Sequence, residues 1–269
     1  MNMNNERDNR NTNSKEEPKR KYRLNKKKFA IAMSVLCFAA AALMVAIYYL
    51  MSAEEREAVA ALNPPQQTPG SQATAEISKS IYGRLIVVDA GHGGFDPGAT
   101  GVSGTREDEL NLKVAFLLKA ELESMGAEVI MTRSDENALA ETKDADMAKR
   151  REIITQSGSD IVVSVHMNSF PDDPEVSGPL VLFMKGSANG KKLAQAIIDS
   201  MNAELEPDKK GRSRSESNLF ILKSGNQPCV IVECGYISNA KEEEKLVTDD
   251  YQRKVVKAIC SGVAVYFNG

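Results

Sequence analysis

Three short runs rich in β-branched residues, Ile86-Val-Val-Asp-Ala90, Ile161-Val-Val-Ser-Val165 and Val230-Ile-Val-Glu233, limit the folds open to this chain more than any other feature. A strand with one wet face alternates apolar and polar residues, whereas a nearly continuous apolar run belongs to a sheet buried on both sides. Between such runs the spacing turns helical: Leu110, Val114, Leu117, Leu118 and Leu122 fall on one face of a helix expected over 109–125. The same reading places strands over 84–90, 128–132, 161–166, 180–184, 219–222 and 230–233, and helices over 109–125, 147–157, 187–205 and 249–267. This alternation predicts one α/β domain over residues 81–269, a mostly parallel sheet covered by helices on both faces, preceded by one transmembrane helix.

The first strand breaks into a loop with glycines at 91, 93, 94, 98 and 101, and His92 sits at the turn, one of two histidines in 269 residues. Glycine lets a backbone turn sharply and approach a ligand closely. Open α/β sheets place their ligands beyond the carboxyl ends of the strands. The spacing fits neither the dinucleotide fingerprint nor a P-loop, since no Gly-Lys-Ser/Thr follows. The loop is therefore read as a device that aims an imidazole.

The amino-terminal third has a different character. Residues 29–51 form a run of 23 residues without a charge, long enough at about 1.5 Å per residue to cross a hydrocarbon core of about 30 Å. Residues 1–28 hold ten Lys/Arg against four Asp/Glu, and Glu54-Glu55 follow the run, a charge step that puts the amino terminus in the cytoplasm and the rest outside. A cleaved signal peptide would have an apolar region of only about 7–15 residues. The expected organisation is a disordered basic cytoplasmic tail over 1–28, a single-pass anchor over 29–51, a Pro-, Ser- and Thr-bearing linker over 52–80 and the main domain over 81–269. That domain holds 22 Lys/Arg against 29 Asp/Glu, which argues against nucleic acid as its partner. Cys37 falls in the apolar run, and Cys229, Cys234 and Cys260 match no metal or disulfide spacing and read as buried thiols.

Polar groups gather at strand ends. His92 follows the first strand, His166 ends the run 161–166 and Glu233 ends the run 230–233, while Glu107 lies in the expected loop before the first helix. In a mainly parallel sheet these ends share one edge. Two imidazoles and a carboxylate make a recurring catalytic zinc set with a position left for water, and Glu233 would then transfer the water's proton. Each residue has a plainer reading too. A strand-end histidine can be a satisfied polar group, Glu107 can be a helix-entry acid favoured by the macrodipole, and Glu233 can pair with Arg212 or Arg214.

Four motifs in order, VVDAGHGGFDPGATG, EDELNL, SVHMNS and VECGYISNAKEEEKL, resemble the zinc-dependent N-acetylmuramoyl-L-alanine amidases of the amidase 3 family over nearly all of residues 83–268. The resemblance implies His92, Glu107 and His166 as ligands of one zinc ion and Glu233 as the catalytic acid–base. Here Glu107-Asp108 stands where the family usually has Glu-Lys, Cys234 stands where it usually has an aliphatic residue, and Glu109 is the neighbouring acid that could shift the register. The implied substrate is peptidoglycan, cut at the amide between N-acetylmuramic acid and L-alanine of the stem peptide. A bare catalytic domain on an amino-terminal anchor is similar to the spore-cortex type, because the stretches at 133–146 and 206–217 are too short for an inhibitory helical insert. No activating protein partner is specified at this level. Two other classes remain as alternatives: a thiol amidase using Cys234 with His166, and an inactive, zinc-free peptidoglycan-binding protein.

Overall fold

The computed structural model describes residues 80–269. The basic tail, the expected anchor at 29–51 and all but the last residue of the expected linker lie outside the described residues. Among the described residues no helix is long and apolar enough to cross a membrane.

Among the described residues, six strands and five α-helices follow one another as β1 (Leu85–Ala90), α1 (Glu107–Ser124), β2 (Glu128–Met131), α2 (Lys143–Ser157), β3 (Ile161–Asn168), β4 (Leu180–Met184), α3 (Ala188–Leu205), β5 (Arg212–Glu216), β6 (Cys229–Tyr236), α4 (Ala240–Leu246) and α5 (Asp249–Asn268), with a 3-10 turn at Ile221–Lys223. They form one sheet in the order β2-β1-β3-β6-β4-β5. The strands β2, β1, β3 and β6 run parallel, β4 lies antiparallel to β6, and β5 runs parallel with β4. The sheet is therefore mostly parallel, and the carboxyl ends of β1, β3 and β6 share one edge as expected.

Both faces are covered. Val88, Val163, Val232 and Cys234 pack with α1, α3 and α5 in the larger core, while Val87, Val162, Leu182, Ile231 and Cys229 pack with Ile154 of α2 and with Ile221 and Leu222 on the other face. Cys229 and Cys234 thus point to opposite sides of β6, and with Cys260 they are free and buried. Local signals set the helix starts: Thr142, Ser187, Asn239 and Thr248 each accept a backbone N–H at the entry of α2, α3, α4 and α5.

The structure departs from the sequence reading in several places, among them the unexpected helix α4 and the strands β3 and β6, which run on past His166 and Glu233. The helix α1 begins at Glu107 rather than 109, so Glu107 lies in its first turn and not in the preceding loop. Capped by Thr142, α2 begins at Lys143, four residues before the expected start. Residues 219–222, expected as a strand, lead into the 3-10 turn Ile221–Lys223: Leu219 and Phe220 are exposed and Ile221 and Leu222 buried, a pairwise pattern that is not the alternation of a strand. Arg212–Glu216, within a stretch read as a loop, is the edge strand β5; its sequence RSRSE has no apolar face, and its pairing with β4 supplies the order instead.

Candidate active site

His92 follows β1 in the left-handed region, at φ 60, a conformation that costs an L-residue roughly 1–2 kcal/mol. Two buried arginines hold it there. Arg150 donates to the carbonyls of Ala90, at 2.7 Å, and of His92, while Arg133 donates to those of Ala90, Gly91 and Asp108 at 2.9, 3.0 and 2.8 Å. Arg150 is in turn neutralised by Asp89 and Asp146, each at 2.7 Å. Burial pushes the Asp89 carboxyl up, but Arg150 and hydrogen bonds from Ser164 and Thr132 outweigh it and hold the group below its ordinary value. A charge that would be expensive alone in a core strand becomes a brace for the turn.

The candidate ligand atoms then converge. His92 Nε2 lies 3.3 Å and His166 Nδ1 2.9 Å from the same oxygen, Glu107 Oε1. The imidazole rings stand 5.0 Å apart and nearly perpendicular, at 79°. Two glycines make room for this: a Cβ at Gly91 would sit 2.2 Å from the His166 ring, and one at Gly98 would sit 2.5 Å from Glu107 Oε2 and 2.8 Å from His92 Cδ2. Glu107 Oε2 accepts the Ala99 N–H at 2.8 Å, and Oε1 also accepts from Asn111 Nδ2 and from the Met167 N–H, each at 3.2 Å. On the far side of its ring, His92 Nδ1 faces Asp96 Oδ2 at 3.1 Å, the carboxylate–imidazole arrangement that orients metal-binding histidines.

The charges are tuned in opposite senses. Burial alone would raise the Glu107 carboxyl, but the two histidines dominate and keep it well below the usual carboxylate range. Burial lowers His92, yet Glu107 and Asp96 more than offset this and bring it to about 8. Glu233 goes the other way. Burial lifts it to about 7, the charge of Glu107 adds to the rise, and His166, His92 and Arg214 only partly oppose it. Glu233 is the Cα partner of His166 across β3 and β6, so both side chains stand on one face of the sheet. Its Oε2 atom is buried with no hydrogen-bond partner among the described residues.

These residues fit a divalent cation. His92, Glu107 and His166 offer ligand atoms that all lie within 4.8 Å of one another, and two nitrogens with one carboxylate are a donor set that suits zinc. The contacts of both imidazoles with Glu107 Oε1 bring together the atoms that such a cation would bind. The unpartnered Glu233 oxygen next to His166 is what a proton-transfer group needs when its partner is a solvent molecule. A cleft of about 220 Å³ opens over this face, lined by His92, His166, Met147, Leu219 and Phe220 among others.

Several plainer readings are resolved by this geometry. Glu107 is a helix-entry acid, and it also faces both histidines. Glu109 instead points outward and pairs with Arg106 at 3.4 Å. Arg214 pairs with Glu216 at 2.8 Å, not with Glu233. Cys234 lies in the helix-side core, on the face of β6 opposite Glu233, with its thiol pushed up by burial, so it does not meet His166 as a nucleophile would. Sequence reasoning missed Asp89, Asp96, Arg133 and Arg150. The available signal was Asp89, a carboxylate inside an apolar strand, which requires a buried cation somewhere in the chain.

Comparison with known proteins adds an independent line. The family described as N-acetylmuramoyl-L-alanine amidase matches residues 86–265. The germination-specific N-acetylmuramoyl-L-alanine amidase of Bacillus subtilis is 31% identical over 198 residues, covering 71% of this chain and 82% of that protein. The amidase AmiA of Escherichia coli is 26% identical over 245 residues, covering 75% and 82%. Among solved structures, the CwlD amidase of Clostridioides difficile in complex with the GerS lipoprotein superposes with a TM-score of 0.66 at 31% identity, covering 69% of this chain and 98% of that one.

Proposed function

The chain belongs to the N-acetylmuramoyl-L-alanine amidase family of cell-wall hydrolases, and from that premise we propose that it is a zinc enzyme with His92, Glu107 and His166 as ligands and Glu233 as the acid–base. The observation that carries the reading is the meeting of His92 Nε2, His166 Nδ1 and the Glu107 carboxylate beside the unpartnered Glu233 oxygen. The substrate is peptidoglycan and the bond is the amide between N-acetylmuramic acid and L-alanine.

When bound, zinc supplies Lewis acidity, which makes water more acidic and the amide carbonyl more electrophilic. The chain's own residues do the rest. His92 and His166 present one nitrogen each to the metal position, and Asp96 holds the His92 ring so that Nε2 faces inward. Glu233 accepts the proton of the attacking water and passes it to the departing nitrogen of alanine, so that water and amide become a carboxylic acid on the sugar side and a free amine on the peptide. A carboxyl with a pKa of about 7 suits both halves of that transfer. Glu107, held ionised, serves as a ligand rather than a shuttle.

The finer assignments follow. The likeness to a germination-specific amidase supports a spore-cortex role, and the complex formed by CwlD supports an accessory protein partner. The uncharged run at 29–51 with its basic flank supports a single-pass anchor that holds the domain outside the cytoplasm, next to peptidoglycan. Purified full-length chain should release free stem peptide from peptidoglycan, detected by mass spectrometry, and a chelator should stop the release until zinc is restored. Binding without release would favour a non-catalytic wall-binding role, and iodoacetamide sensitivity without chelator sensitivity would favour a thiol enzyme. External protease on wall-stripped cells should remove the domain; full protection would reverse the orientation.

A further inference from the structure

One crosswise row of side chains runs over four adjacent strands. His166 on β3 is the Cα partner of Glu233 on β6, Glu233 of Leu180 on β4, and Leu180 of Arg212 on β5. Paired residues project to the same side of a sheet, so Arg212 stands on the face that carries His166 and Glu233. The next row, Ser164, Ile231, Leu182 and Arg214, repeats the pattern. The register shift between His166 and Asn168 pairs Tyr236 with Asn168, and this turns Tyr236 onto the same face as well.

The two arginines differ. Arg214 is committed to Glu216. Arg212 is exposed and forms no ion pair among the described residues. Leu180, buried and apolar, stands between Arg212 and Glu233 and keeps the two charges apart. The spacing is about 10 Å, two strand separations. Both arginines lie near enough to Tyr236, on that same face, to pull its phenol down against burial. An uncommitted guanidinium in an acidic domain, on the sheet face that carries His166 and Glu233, suits an anion. On the substrate, the sugar side of the scissile amide is neutral, while the peptide side carries a carboxylate on the residue after alanine. An extended chain places that group about 7 Å from the cleaved bond, two residues at about 3.5 Å each, which the long arginine arm on β5 can meet.

We propose that Arg212 on the edge strand forms a carboxylate-binding subsite for the acidic residue that follows alanine in the stem peptide, and so favours substrates in which that carboxylate is free over those in which it is amidated. The inference rests on the amidase reading for its substrate and on the sheet register for its position. The test uses full-length, zinc-loaded chain in detergent. Calorimetric titration with L-alanyl-D-isoglutamate and with L-alanyl-D-isoglutamine should show about tenfold tighter binding of the acid, the usual size of a charge-assisted hydrogen bond. Arg212→Gln should bind the two alike, and Arg212→Lys should keep part of the preference because it keeps the charge. Cleavage of the matching muramoyl peptides should show the same ratio. Equal binding of acid and amide by the unaltered chain, or an undiminished preference in Arg212→Gln, would overturn the subsite. An acid preference in binding that Arg212→Gln abolishes, with neither muramoyl peptide cleaved, would instead support the subsite and defeat the amidase reading.

Discussion

The first turn of α1 and the carboxyl half of β6 each bring one glutamate to the same sheet edge, and the two carboxyls are driven in opposite directions. Glu107 receives two imidazoles and two backbone N–H groups, so its ionised form is favoured despite burial. Glu233 has an apolar strand around it, and its Oε2 atom has no partner among the described residues, so burial lifts it to about 7. Identical side chains thus acquire different chemistry from what surrounds them. Such a divergence is how one site can hold both a permanent anion and a proton carrier.

The sharpest way to break that comparison is to neutralise each glutamate in turn. Glu107→Gln should lose zinc, because a neutral amide is a poor ligand for a divalent cation, and should lose all zinc-dependent turnover with it. Glu233→Gln should keep zinc and lose about 10²- to 10⁴-fold in turnover. Glu109→Gln should do neither. Metal content and stem-peptide release decide the matter: loss of zinc in Glu109→Gln would move the ligand register, and full turnover in Glu233→Gln would remove it from the mechanism.

A second variant tests the brace beneath the Glu107 side of the comparison. Arg150→Ala leaves Asp89 buried and unpaired and frees the carbonyls of Ala90 and His92. Removing one partner of a buried pair costs about 3–5 kcal/mol, so denaturant unfolding should show a loss of that size. A change below about 1 kcal/mol, typical of surface pairs, would mean that the network is not a support.

The smallest effect is a pH dependence of the metal-free chain. Its raised His92 contributes stability that is fully present below 6.5 and lost as pH rises through about 8. Glu233 acts in the same direction, with its share present below 4.5 and lost as pH rises through about 7. Glu107, held low, opposes them only in acid, where its contribution fades as pH falls below 4.5. The melting temperature without zinc should therefore decline between about pH 6 and 8.5, and saturating zinc, which needs unprotonated His92, should flatten or reverse the decline. A zinc-independent profile would argue that His92 does not hold the metal.

How much of this was legible beforehand depends on the kind of signal. The strands β1, β3 and β6 were visible because their burial is written as continuous β-branched residues, and the helices α3 and α5 because their apolar faces recur at helical spacing. The strand β5 was invisible, since RSRSE is ordered by its neighbour β4 and not by any burial of its own. The short helix α4, capped by Asn239, lay within a stretch assigned no element. Of the site, the four titratable positions were named through strand ends and ordered motifs. Their meeting at one sheet edge was expected from the parallel strands, but the contact of both imidazoles with a single Glu107 oxygen was not, because it depends on how the loop at 91–106 folds back.

The sequence by itself determined an α/β class, the strand ends where polar groups gather, and the residue types suited to a metal. Local pattern suffices for these, because burial period and side-chain chemistry are carried within a few residues. Only the tertiary structure decided that Arg150 braces the His92 turn through Asp89, that Glu107 and Glu233 diverge in acidity, and that Arg212 lies in one row with His166. Each depends on groups distant along the chain meeting across strands, and on how much water their meeting excludes, which no local pattern records.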